Sequence, residues 1–86
     1  MAEGTVTQPA YVARLSNALQ AGVNGAQVTS ERVRGDRYRF IVVAPGFDDQ
    51  EHPQRQRTVW AVADRSLPKE DLLKVAMIIT LSPSEV

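Results

Sequence analysis

The sequence predicts an α/β (α+β) fold of order α-β-β-α-α-β, in which a three-stranded mixed sheet carries its helices on one face. Three observations predict it. Phe40, Ile41, Val42, Val43 and Ala44 form an uninterrupted apolar run, which suits a strand at the centre of a sheet or one covered on both faces. Just before it, Gly35-Asp36 fits the two-residue hairpin turn with glycine first. Apolar residues recur at helical spacing before and after the hairpin, and a crossover through two helices sets the last strand parallel to the central one, right-handed by the usual rule.

Residues 1–6 bring Gly4 and small polar residues with almost nothing to bury, and are expected to form a loose tail. Thr7 is the candidate cap of the first helix, with Pro9 tolerated in its first turn. Tyr11, Val12, Leu15, Ala18 and Leu19 recur at helical spacing and place that helix over 9–21, with Gly22 and Gly25 as left-handed stops. A polar strand over 27–34 follows, with Val28 and Val33 as its apolar members. The turn joins it to the central strand over 37–44, which stops where Pro45 cannot donate to a ladder.

The loop over 45–53 holds Asp48, Asp49 and Glu51, charges that suit the N-terminus of the helix behind it. That helix is expected over 54–64, burying Val59, Val62 and Ala63 with Trp60 on its flank. Ser66 is the candidate cap of a short third helix over 68–73, with Leu72 and Leu73 facing inward. The last strand covers 75–81, Pro83 ends it, and 82–86 is expected to be a second loose tail with little to pack.

At 86 residues the chain is read as one domain over 1–86, large enough to bury roughly 60% of its unfolded surface without staples. It has no cysteine, so disulfides, thiolate nucleophiles and cysteine ligands are excluded. The start, MAEGTVTQP, has neither a basic beginning nor an apolar core, and no apolar run approaches the roughly 20 residues that span a bilayer. A soluble, cytoplasmic protein is expected. Ten basic and ten acidic side chains cancel, which argues against affinity through bulk positive charge. Eight of the ten cations are arginine, a bias that favours bidentate or stacked contacts and that a GC-rich genome also produces.

The central stretch resembles the BolA family, small proteins with a class II KH-like fold. The resemblance lies in the apolar strand ending at Ala44, then Phe47, then Arg55, Arg57, Val59 and Trp60 at the family's spacing without a gap. Where the family typically has Phe-x-Gly, and then Arg-His-Arg followed by an apolar residue and Tyr, this chain has Asp49 for the glycine and Gln56 for the histidine. Where the family opens its last strand with His-Ala-Leu-Ser, the matching positions are Lys74, Val75, Ala76 and Met77. The resemblance implies a non-enzymatic adaptor or regulator, either a partner of monothiol glutaredoxins in iron-sulfur trafficking or a nucleic-acid-binding regulator. In the family a shared cluster is bound through the C-terminal histidine and a Cys or His of the hairpin region. Here Lys74 offers an ammonium without a lone pair, and no Cys or His lies between Val28 and Phe40, so no bridged cluster and no other cofactor is expected.

His52 is the only histidine. A hydrolytic triad would need a nucleophile and an orienter from elsewhere, and a zinc site about three protein ligands. Asp48, Asp49, Glu51 and His52 therefore read either as a weak cation site or as a solvated loop completing a helix N-terminus. Gly22-Val23-Asn24-Gly25 matches the GxxG that clamps nucleic-acid backbone in KH domains, but in the class II order that loop joins the second and third helices, where this chain reads DRSLPK. It is read as a helix stop.

Arg55 and Arg57 begin the second helix and either pair with the acidic loop or contact phosphate. On the hairpin, Arg34 is expected to face Arg37 and Arg32 to face Arg39. Period two then sets all four guanidinium groups on one sheet face with Val28, Ile41 and Val43, while Val33, Tyr38, Phe40 and Val42 turn toward the helices. No catalytic residue and no metal ligand is expected. Arg32, Arg34, Arg37, Arg39, Arg55 and Arg57 are the candidate contacts to a protein partner or to nucleic acid. The partners considered are a monothiol glutaredoxin, nucleic acid and a second copy in a homodimer, with no membrane.

Overall fold

The computed structural model describes residues 8–86, so Thr7 and the expected tail over 1–6 lie outside the described residues. The elements are α1 (Ala10–Gly22), β1 (Gln27–Arg34), β2 (Arg37–Val43), a first 3-10 helix (Pro45–Asp49), α2 (His52–Ser66), α3 (Lys69–Leu72), β3 (Val75–Leu81) and a second 3-10 helix (Pro83–Glu85). β2 is central, antiparallel to β1 and parallel to β3. The fold is α+β, with the mixed three-stranded sheet that the sequence predicts. No helix among the described residues is long and apolar enough to cross a membrane.

One face of the sheet is covered. Tyr11, Val12, Leu15 and Leu19 form a single buried stripe on α1, and Val59, Val62 and Ala63 form the matching stripe on α2. Both stripes belong to one core with Tyr38, Phe40 and Val42 from β2 and Val75 and Ile78 from β3. Burial on β2 alternates strictly, with Tyr38, Phe40 and Val42 buried and Arg37 and Arg39 exposed.

The glycines act differently from one another. Gly35 turns the hairpin at φ +55 and Gly25 reverses the chain into β1 at φ +71. Gly22 is not a left-handed stop. It is the last residue of α1, and a Cβ there would lie 2.9 Å from Val62 Cγ2, so its missing side chain lets α1 approach α2.

Several boundaries differ from expectation for identifiable reasons. Pro53 is tolerated in the first turn of α2, so that helix begins at His52. Ser66 closes α2 instead of capping α3, because Leu67 precedes Pro68 and takes the extended conformation that a following proline imposes, φ −125 and ψ 145. Leu67 is buried, whereas Leu73, expected inward, is 78% exposed. The expectation of a loose tail over 82–86 is also corrected. Ser82 is buried, and Glu85 closes a capping box on the second 3-10 helix while binding a buried arginine.

Candidate functional site

The six arginines singled out in the sequence do not form one site. On β1 a bulge between Arg32 and Arg34 shifts the register, so Arg34 lies opposite Arg37 as expected, but Arg32 lies opposite Tyr38 and Glu31 opposite Arg39. Arg32 is therefore in a row with the helix-facing Tyr38, and its Nε donates to the Gly35 carbonyl at 2.9 Å. Arg39 donates instead to Glu31 at 2.6 Å. The same shift moves Val28 to the covered side, opposite Val42, and leaves Val33 54% exposed. Both reverse the expected faces.

The rows of the uncovered face follow from the two registers. Glu31, Arg39 and Met77 form one row, Thr29, Ile41 and Ile79 the next, and Gln27, Val43 and Leu81 the last, with Arg34 and Arg37 beyond the first. Ile41, Val43, Ile79 and Leu81 are half-buried and Met77 is 48% exposed, although no helix packs over them among the described residues. An open depression of about 370 Å³ bounds the last row, lined by Gly25, Gln27, Val43, Pro45 and Pro83.

Arg55 has a different place. It is buried, and its Nη1 and Nη2 reach Glu85 Oε1 and Oε2 at 2.7 and 3.3 Å. Its Nε donates to the Gln50 carbonyl at 2.8 Å, Nη1 reaches the Thr80 carbonyl at 3.5 Å, and the guanidinium stands 5.7 Å from the Phe47 ring. Its ion pair is with Glu85, not with the carboxylates of the acidic loop, and it lacks the exposure that a partner contact needs. Glu85 is held down to about 2 from the usual 4.5, first by the Arg55 hydrogen bond and then by the Ser82 backbone N–H. Ser82-x-x-Glu85 is a capping-box spacing, the one signal in the sequence that this tail is structured. Arg57 is exposed on α2.

The residue after Arg55 also serves the fold. Gln56 Nε2 donates to the Ile78 carbonyl at 2.8 Å, and its Oε1 accepts from Trp60 Nε1 at 3.1 Å.

Lys74 stands beside the hairpin turn. Its Nζ lies 3.7 Å from Asp36 Oδ2 and 3.4 Å from Asp71 Oδ1, with the Tyr11 ring at 6.0 Å. The Tyr11 hydroxyl donates between the Asp36 carbonyl at 2.6 Å and the Lys74 carbonyl at 3.1 Å, tying α1 to both the turn and the entry to β3. Burial pushes the Tyr11 phenol above its usual value of 10.0. An ammonium, two carboxylates and a phenol are not the thiolate or imidazole donors that hold an iron-sulfur cluster, so these residues do not fit that group. His52 is exposed at the start of α2, and among the described residues no group of three or more His, Asp or Glu side chains could hold a metal ion.

Gly22-Val23-Asn24-Gly25 does not present a clamp. Gly22 abuts Val62, Val23 is buried, and a Cβ on Gly25 would lie 3.3 Å from Pro45.

No protein-family model matches the chain, and no curated protein sequence matches it. Solved structures do. A BolA protein homologue from Coxiella burnetii is 19% identical with a TM-score of 0.64, the alignment covering 94% of this chain and 96% of that one. A bol-like protein from Babesia bovis is 17% identical with a TM-score of 0.56, covering 96% and 93%. The α-β-β-α-α-β order, the parallel crossover and these superpositions over nearly the whole chain lead to one conclusion: this chain has the fold of the BolA proteins.

Proposed function

We propose that this protein is a non-enzymatic, cytoplasmic, BolA-like adaptor or regulator that acts through protein contacts and bridges no iron-sulfur cluster. The observation that carries the reading is the Lys74–Asp36 pair. The resemblance puts the family's cluster ligands at the start of the last strand and in the hairpin region, and there this chain sets a cation against a carboxylate. A charged pair at that junction leaves no soft donor for iron. The partner class that the resemblance suggests is a monothiol glutaredoxin.

Titration of isotopically labelled protein with a monothiol glutaredoxin, with and without its cluster, tests this. The expected result is the same set of amide shifts in both titrations and no change in the cluster's visible absorbance. A stable coloured heterodimer that loses its cluster on His52→Ala would overturn it.

A second reading, nucleic-acid binding, draws on Arg34, Arg37 and Arg39 at one end of the sheet and Arg57 on α2. Its signature is a gel shift with steep salt dependence, and absence of any shift at low salt removes it.

A further inference from the structure

We infer that the uncovered face of the sheet is the docking surface for an amphipathic helix of a partner protein, apolar along one side and acidic at the end lying over the hairpin. The inference rests on the adaptor reading and gives its partner a chemistry. It starts from the middle of the face, where Ile41, Val43, Ile79 and Leu81 are side by side in two adjoining rows and Met77 continues them toward the hairpin. An apolar sheet surface, there partly aromatic through Tyr38 and Phe40, is what α1 and α2 cover on the other side, and a helix laid over this one completes a three-layer arrangement.

Charge decides among occupants. The hairpin end of the face carries Arg34, Arg37 and Arg39, of which Arg39 is paired with Glu31. A second copy docked face to face sets the guanidinium groups against one another or, with its strands reversed, against the uncharged row of Gln27, Val43 and Leu81, and gains no ion pair either way. Nucleic acid would meet the arginines but then an aliphatic floor, since no aromatic side chain stands in these rows for a base to stack on. A helix with acidic residues at one end satisfies both parts.

The dimensions set its length. Arg37 to Val43 spans six residue steps of β2, about 20 Å at roughly 3.3 Å each. About 13 residues of helix cover that distance. The depression beside Gln27, Val43 and Pro45 lies at the end opposite the arginines and takes the terminal apolar side chain.

The probe is a synthetic helical peptide of about 14 residues with leucines along one side and three glutamates at one end, beside a version with lysines in place of the glutamates. Methyl-detected NMR on the intact protein is expected to show shifts confined to Ile41, Val43, Met77, Ile79 and Leu81. Arg37→Glu should weaken the glutamate peptide at least tenfold and strengthen the lysine peptide. Met77→Glu should weaken both, while thermal unfolding confirms that each variant is folded. Shifts mapping to α1 or α2, equal affinity for both peptides, or displacement of the peptide by single-stranded DNA would overturn the proposal. So would broadening of these methyls with protein concentration alone, which assigns the face to a second copy. Peptide binding here with no response to glutaredoxin would refute that partner and leave this surface standing, whereas glutaredoxin shifts confined to the Lys74–Asp36 junction, with no peptide binding, would do the opposite.

Discussion

Glu85 grips Arg55 with both carboxylate oxygens, 30 residues away in sequence, and so ties the end of the described chain to the first turns of α2. The arginine is buried while the carboxylate is partly open to solvent, 6% against 38% side-chain exposure. Because the Glu85 pKa is depressed to about 2 in the folded protein, its contribution to stability is present above the usual 4.5 and is lost as pH falls from there through about 2. Acid unfolding followed by circular dichroism should show this component, and Glu85→Gln should remove it. An unchanged acid limb in the variant would show that the pair adds nothing.

Arg55→Lys tests geometry separately from charge. Lysine keeps a cation but cannot make the two-pronged contact with Glu85 while donating to Gln50. A loss of about 2 kcal/mol is expected in urea unfolding, the scale of a charge-assisted hydrogen bond removed from a buried group.

Gly22→Ala inverts a familiar expectation. In an exposed helix, alanine gains about 1 kcal/mol over glycine. Here the new methyl meets Val62 Cγ2 at 2.9 Å, and Val62 is buried and stiff at χ1. Overpacking of this kind costs about 1–3 kcal/mol, so the variant should be less stable by about 1 kcal/mol. A gain measured by thermal unfolding would show that α1 and α2 separate more easily than their packing implies.

Thr80 is 3% exposed, and its Oγ1 has no hydrogen-bond partner among the described residues. Thr80→Val keeps the shape and removes the stranded hydroxyl, which should raise stability by about 1 kcal/mol. Chemical denaturation checks this, and a loss would mean that the hydroxyl serves a buried water.

At the hairpin the bulge separates two arginines that simple alternation treats alike. Arg34 lies opposite Arg37, a like-charge pair, so Arg34→Thr should raise stability by up to about 1 kcal/mol. Arg39 has Glu31, so Arg39→Thr should lower it by a few tenths, about 0.3–0.5 kcal/mol. Thermal unfolding of the two variants should move in opposite directions.

The contrast at the hairpin shows what the sequence makes legible. The strands, their order and the Gly35 turn were readable because each depends on residues close in sequence: an apolar run, a period of two, a glycine needing positive φ. The bulge was not, since one extra residue leaves the local pattern intact and changes only what lies opposite. Its available signal was complementarity, because a register placing Glu31 against Arg39 is better than one placing Arg32 there. Arg55 was misread for a related reason. Its partner is far away in the chain, and an arginine in the first turns of a helix looks exposed until a distant carboxylate is folded over it.

Gln56 and Arg55 also bear on how the sheet ends. β3 is an edge strand, and its Leu81 carbonyl points inward to accept from Ala44, so the alternating Ile78 and Thr80 carbonyls point away from β2. Those two are the ones that Gln56 and Arg55 reach. Two of the acceptors that an added strand would need on that side are thus already occupied by side chains of a helix. A chain of this kind resists templated growth into fibrils along β3 without any lysine or proline in the strand, and its Gln56→Ala variant should seed cross-β assembly sooner under stirring than the parent protein does.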